Sequence, residues 1–249
     1  MNIAVCIKQT PDTTTRIQVA DGGGEIVDDG IQWIISPYDE FAIEEALKLT
    51  EANGGEVTIV SMGPARVEKT IREALAMGAQ KAIRIDCESI PNDPGVTAKV
   101  LAEVLRGRGF DLIFTGRQAI DGDQAQVPGR LAHLLDWACV SVVIDLAIDG
   151  DKGTALREVE GGSERVHFTM PAVIGANRHL NEPRYRNMRG IMKAKRIPIE
   201  VVQVDAPAPQ LEITSYSYPP QKGERKLFEN GASDVAEVVR LLREEAQVI

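Results

Sequence analysis

Aromatic side chains make up only 4% of the 249 residues, which leaves no stacking platform of the kind that grips single-stranded nucleic acid or sugars. The three cysteines, Cys6, Cys87 and Cys139, stand far apart with no Cys-x-x-Cys spacing, so they read as buried thiols and not as a disulfide framework. The three histidines, His133, His167 and His179, share no ligand spacing with the cysteines or with one another, and no zinc or haem site is visible. Positive charge is also short: 28 Lys and Arg face 37 Asp and Glu, a formal net charge of -9. That balance opposes a grip on the phosphate backbone of nucleic acid. No apolar run approaches membrane-spanning length, and the first eight residues carry one Lys after a short apolar run with no small-residue cleavage site. The expectation is a cytoplasmic protein with no nucleic-acid partner and no membrane insertion. Three nucleotide or catalytic signatures are missing as well: the phosphate loop Gly-x-x-x-x-Gly-Lys-Ser/Thr, a Gly-x-Gly-x-x-Gly after the first strand, and the nucleophile elbow Gly-x-Ser-x-Gly. No catalytic residue is assigned.

What is present is an alternation. Residues 3–8 (IAVCIK), 57–62 (VTIVSM), 82–86 (AIRID) and 111–116 (DLIFTG) are short apolar runs, the pattern of strands buried on both faces of a parallel sheet. Between them, residues 37–49, 65–77 and 96–106 place apolar side chains at three- and four-residue spacing, as amphipathic helices do. Ser36, Pro37, Asp39 and Glu40 specify the first helix start by cap, first-turn proline and dipole. Gly78 and Gly107 supply helix stops. Further on, residues 140–146, 155–159, 166–170 and 172–176 read as strands separated by Gly-containing turns and are expected as antiparallel additions. Asp21 to Gly24 read as a hairpin tip. Residues 198–204 read as a strand, residues 205–210 as an extended linker and 232–246 as an amphipathic helix. The fold class is therefore α/β, a doubly wound, mostly parallel sheet with antiparallel additions and a C-terminal arm. Residues 1–200 form the α/β domain, and residues 201–249 the arm, suited to wrapping a partner.

The most informative segment runs from Thr115 to Leu131, after a buried strand and into a helix. In open α/β sheets ligands bind at the carboxyl ends of the strands, and N–H groups at a helix start attract phosphate. Gly116, Gly122 and Gly129 permit close approach, while Asp121, Asp123, Gln124 and Gln126 offer directed polar groups. Two more loops, residues 8–12 and 62–65, open on the same edge and with residues 36–39 could surround one ligand, in a pattern that favours a nucleotide over acid–base chemistry. A different signal is the basic stretch 180–196, which carries Met188 and Met192 within an acidic chain. Adaptable methionines and clustered positive charge suit a docking element, and a solvated basic turn before the next strand is the plainer alternative.

Long motifs in this order resemble the electron transfer flavoprotein beta subunit: residues 36–47 (SPYDEFAIEEAL), 71–79 (IREALAMGA), 118–123 (QAIDGD), 157–166 with 170–173, and 180–185 (LNEPRY) with 191–195 (IMKAK). The resemblance spans nearly the whole chain. It implies an alpha/beta heterodimer in which the main FAD lies mostly in the alpha subunit while the beta subunit buries a second nucleotide, AMP in most relatives and FAD in electron-bifurcating ones. By position, that nucleotide contacts Cys6, Ser36, Pro37, Tyr38, Asp39 and Met62. The loop Gln118, Ala119, Ile120, Asp121, Gly122, Asp123, Gln124, Ala125, Gln126, Val127 and Gly129 completes its site. The stretch 121–127 is similar to the bifurcating subgroup's loop and favours FAD, which admits NADH as electron donor. Gln124 replaces the subgroup's usual Thr, and Pro128-Gly129 inverts its Gly-Pro. The resemblance further implies a recognition loop for acyl-CoA dehydrogenases built from Leu180, Asn181, Glu182, Arg184, Tyr185, Met188 and Met192, with Met188 in the anchoring place. The function implied is electron carriage between dehydrogenases and a downstream acceptor. A regulatory or structural subunit that binds an adenine nucleotide is the alternative of another class.

Overall fold

The computed structural model describes residues 1–88, 92–221, 223 and 225–249; Lys222 and Glu224, in the mixed-charge stretch 222–226, lie outside the described residues. Contacts divide the chain into one unit of Met1–Ser215 and a smaller one of Tyr216–Ile249.

In the larger unit, β1 (Asn2–Cys6) starts a sheet whose strands are explained by their burial. Ile3 and Val5 enter one apolar layer and Ala4 and Cys6 the other, the period-two split of a strand covered on both faces. A two-stranded antiparallel pair follows, β2 (Gln9–Pro11) and β3 (Trp33–Ile35), too short to show an alternation in sequence. It flanks a hairpin whose tip is residues 21–24, closed by the Val19–Ile26 bridge, as the glycines foretold. Then come α1 (Pro37–Asn53), β4 (Glu56–Gly63), α2 (Glu68–Met77) after a 3-10 turn, β5 (Lys81–Asp86), α3 (Pro94–Leu105), β6 (Leu112–Gly116) and α4 (Val127–Leu135). Helices α1 and α2 cover one face of the sheet, with Ile43, Leu47, Ile71 and Leu75 in its core. Helices α3 and α4 cover the other, with Val100, Leu101, Leu131 and Leu135. Helix α3 starts where Asp93 accepts the Gly95 and Val96 N–H groups and Pro94 occupies the first turn, a strong start signal.

The remaining strands are β7 (Ala138–Asp149), β8 (Lys152–Val159), β9 (Gly162–Thr169), β10 (Ala172–Ala176) and β11 (Ile199–Gln203), and the sheet order is β11-β5-β4-β1-β6-β10-β7-β8-β9. The meander β7-β8-β9 is antiparallel, as expected, with Gly150 and Gly161 at positive φ in its turns. β10 corrects the sequence reading. It runs parallel to both β6 and β7 inside the sheet, and all five of its residues are buried, the signature of a central parallel strand and not of a hairpin addition. β11 pairs parallel with β5, so sheet pairing continues through Gln203. Between β10 and β11, residues Met188–Ala194 form a short helix, α5, capped by the Asn187 side chain at the Gly190 N–H.

The smaller unit carries α6 (Val235–Glu244), preceded by a 3-10 turn. Arg240 pairs with Glu237 and Glu244 along one side of the helix, while Val235, Val239 and Leu242 are exposed.

Candidate functional site

Strands β1, β4 and β6 run in one direction, so their carboxyl ends open on a common edge. The first turn of α1 closes that edge through Asp39. The Lys8 N–H donates to Asp39 Oδ2 at 2.7 Å and the Gly116 N–H to Oδ1 at 2.9 Å, so one buried carboxyl ties the end of β1 to the end of β6. Burial pushes its pKa up to about 7, although the two N–H bonds and the Lys8 charge pull the other way. Gly116 makes the arrangement possible, because a Cβ there would stand 2.4 Å from Asp39 Oδ1 and 2.7 Å from Tyr38 Cβ.

Next to this clamp lies a cleft of about 140 Å³ that opens to solvent. Its floor is apolar: Cys6 and Val60 at the strand ends, Met62 on β4 and Leu101 on α3. Burial, first, and the neighbouring Asp39 charge raise the Cys6 thiol, so Cys6 contributes as a neutral, space-filling group. The loop after β6 forms the polar wall. Asp123 and Ala125 adopt positive φ of 47° and 52°, and the Gln118 side chain holds Asp123 Oδ1 at 2.6 Å. Alternating backbone of this kind turns successive N–H groups into an anion-binding concavity. The N-terminus of α4, beginning at Val127, has no side-chain cap, leaving orphan N–H groups with the positive end of the helix dipole. Lys8 Nζ reaches Asp121 at 2.7 Å, a link between the loops after β1 and β6.

Of the expected nucleotide residues, Cys6, Asp39, Met62, Gln118, Ala119, Gly122, Asp123, Gln124, Ala125, Gln126 and Val127 line the cleft. Ser36, Pro37, Tyr38, Ile120, Asp121 and Gly129 are not in its lining. Tyr38 lies 5.4 Å from the Arg117 guanidinium, and Asp121 is engaged by Lys8. Ser36 does precede α1, yet its hydroxyl does not cap; its Oγ is buried without a hydrogen-bond partner among the described residues. Sequence reasoning missed one whole wall, Asn92, Pro94 and Thr97 at the start of α3, and Leu101 further along the same helix. The Asp93-Pro94 start signal after a buried strand placed that helix end on the same edge.

The basic segment splits into anchors and exposed groups. Arg184 is ion-paired with Glu44 at 2.8 Å and Glu51 at 2.6 Å, and Asn181 donates to the Phe41 carbonyl and to Glu45. Arg186 meets Glu73 on α2 at 2.9 Å, and Gly190 packs so closely on α2 that a Cβ would stand 2.3 Å from the Ala76 carbonyl oxygen. Leu180 packs on the core, whereas Glu182, Tyr185, Met188 and Met192 are exposed, Tyr185 at 98% and Met188 at 74%. Rigid anchorage thus holds an apolar tip out to solvent.

A doubly wound α/β sheet with a ligand cleft at its carboxyl edge and an anchored apolar tip on one helical face defines the class. Residues 23–207 match the family model described as the electron transfer flavoprotein domain. The chain is similar to the electron transfer flavoprotein subunit beta of Bacillus subtilis, 42% identical over 259 residues and covering 100% of both chains. It is similar also to the subunit of the same description from Syntrophomonas wolfei, 38% identical with 89% and 87% covered. The one from Homo sapiens is 37% identical, with 89% and 90% covered. The chain belongs to the electron transfer flavoprotein family, as a beta subunit. That membership carries an electron-transport role with a flavin cofactor. Among the described residues, no helix is long and apolar enough to cross a membrane.

Proposed function

We propose that this chain pairs with an alpha subunit carrying FAD, and that the heterodimer moves electrons from an acyl-CoA dehydrogenase to a downstream acceptor in the cytoplasm. The cleft holds a second nucleotide. The observation that carries this reading is the uncapped N-terminus of α4 beside the left-handed Asp123 and Ala125, facing an apolar floor: phosphate against N–H groups, ring system against Cys6, Val60, Met62 and Leu101. The residues present fit a nucleotide, and their role is to bind and orient it.

FAD is the favoured occupant, on the likeness of residues 121–127 to the bifurcating loop; a flavin there supplies NADH oxidation and one-electron delivery to two acceptors. AMP is the second reading, favoured by Pro128, which removes one N–H donor from the first turn of α4. The exposed tip of Tyr185, Met188 and Met192 docks the dehydrogenase, with Leu180, Asn181 and Arg184 as its anchors and Glu182 at its rim. The arm within residues 201–249 wraps the alpha subunit, presenting the apolar side of α6. The test is to co-express both subunits, denature the purified heterodimer and quantify released nucleotides by chromatography. Two FAD per heterodimer support bifurcation and one FAD with one AMP supports simple carriage, while the absence of any second nucleotide refutes the assignment of the cleft.

A further inference from the structure

Burial alone does not account for α5 being a helix. It has seven residues, of which only Ala194 is buried, and a segment that short does not hold helical form in water by itself. Its two ends are fastened instead. At the front, Asn187 accepts the Gly190 N–H. At the back, the last carbonyls run out of helical N–H partners, and the Ala194 carbonyl takes only a long bond from the Ile197 N–H at 3.4 Å. Arg72 of α2 supplies what is missing. Its Nη1 donates to the Ala194 carbonyl at 2.6 Å and also to the Ile197 carbonyl, and a cation in that place opposes the negative end of the helix dipole. Arg72 is half-buried and, in a chain where acids outnumber bases 37 to 28, it forms no ion pair among the described residues. Ala76, whose carbonyl lies against Gly190, stands four residues on from Arg72, on the same side of α2. One side of α2 is thus the seat of α5.

The seat decides what α5 shows to solvent. Met188, Ile191 and Met192 are all exposed and stand three and four residues apart, so they form one apolar stripe only while α5 stays wound. We infer that Arg72 is a positioning residue for electron transfer: by closing the C-terminal end of α5 it keeps this stripe in the shape that an apolar pocket on the electron-donating dehydrogenase receives. The inference rests on the docking role proposed for the tip and adds the residue that sets its form from another helix.

The test is steady-state electron transfer to the purified heterodimer from an acyl-CoA dehydrogenase reduced by its acyl-CoA, with the heterodimer concentration varied so that KM and kcat are read separately. A surface competent for only part of the time binds with its affinity reduced by that fraction, and loss of binding shared by ground and transition states raises KM while sparing kcat. With α5 seated roughly a fifth of the time in Arg72→Met, KM rises roughly fivefold while kcat and flavin content stay unchanged. Arg72→Lys, which offers a compact ammonium in place of a fork, gives a smaller rise of roughly twofold. Met188→Ala raises KM by itself, and in that background Arg72→Met adds less than about twofold, because both changes act on one contact. An unchanged KM in Arg72→Met, a fall in kcat in its place, or an equally large rise in the Met188→Ala background overturns the inference and leaves Arg72 a residue of the fold, with the docking role of the tip intact. Met188→Ala without effect on KM overturns that docking role and this inference with it. If Arg72→Met does not assemble with flavin, Arg72→Lys carries the test: its rise in KM must appear and must shrink in the Met188→Ala background, and failure of either overturns the inference.

Discussion

Gly116→Ala should destabilise this protein by disturbing the contact between β6 and the first turn of α1. The added methyl would stand 2.4 Å from Asp39 Oδ1, 2.7 Å from Tyr38 Cβ and 3.0 Å from the Tyr38 carbonyl carbon, and all three neighbours belong to the first turn of α1, a helix held down on the sheet by Ile43 and Leu47. Relief requires moving that turn or Asp39. Either movement stretches the N–H bonds from Lys8 and Gly116 to the buried carboxyl. Overpacking costs about 1–3 kcal/mol, and a weakened bond to a buried carboxyl about 1–3 kcal/mol more. The lower entropy of the unfolded alanine chain returns only about 0.4–1 kcal/mol. The net is a loss of about 2–4 kcal/mol, which in a chain of this size lowers the melting temperature by roughly 5–15 °C. Thermal unfolding followed by circular dichroism measures it, with Gly129→Ala as control. Gly129 lies in α4 with nothing near an added Cβ, so that change should stabilise by about 0.5–1 kcal/mol. A Gly116→Ala melting point within about 2 °C of the unmodified chain would refute the idea that Asp39 rigidly ties β1 to β6.

Three further outcomes are expected. Asp39→Asn should remove a slope in stability between about pH 4 and 7. Burial raises this carboxyl from 3.8 to about 7, so its protonated form stabilises the fold fully below the unfolded pKa, and that contribution disappears as pH rises through 7; urea titrations with the same slope in both chains would contradict this. Arg184→Met should strand Glu44, which is only 4% exposed, costing about 1–3 kcal/mol in urea unfolding and slowing electron transfer from the dehydrogenase through a looser docking segment; unchanged values of both would remove its anchoring role. Met188→Asp, at a 74% exposed position, should leave stability within about 0.5 kcal/mol and flavin content intact while cutting transfer from an acyl-CoA dehydrogenase roughly tenfold; unaltered transfer kinetics would rule out this tip as the dock.

Elements whose burial repeats with a local period were legible in the sequence, and groupings made by distant residues were not. The four N-terminal strands and three helices can be read because each carries its own pattern of apolar residues, and the strand-to-helix order alone puts their connecting loops on one edge. β10 was misassigned because its neighbours in sequence are hairpin strands, while its neighbours in space are β6 and β7; burial of all five residues was the usable signal. The link of Lys8 to Asp121 spans 113 residues and leaves no local trace. The acids of α1 show the same limit more instructively. Glu44 and Glu45 look like part of a solvated face, yet both are buried, because Arg184 and Asn181 cover them from about 140 residues away. Two acids on the inward side of a helix and a basic, methionine-bearing segment in an acidic chain are each weak evidence by themselves. Their physical meaning is joint: buried carboxylates demand partners, the basic segment supplies them, and that pairing leaves Tyr185, Met188 and Met192 facing outward with no partner from this chain's core.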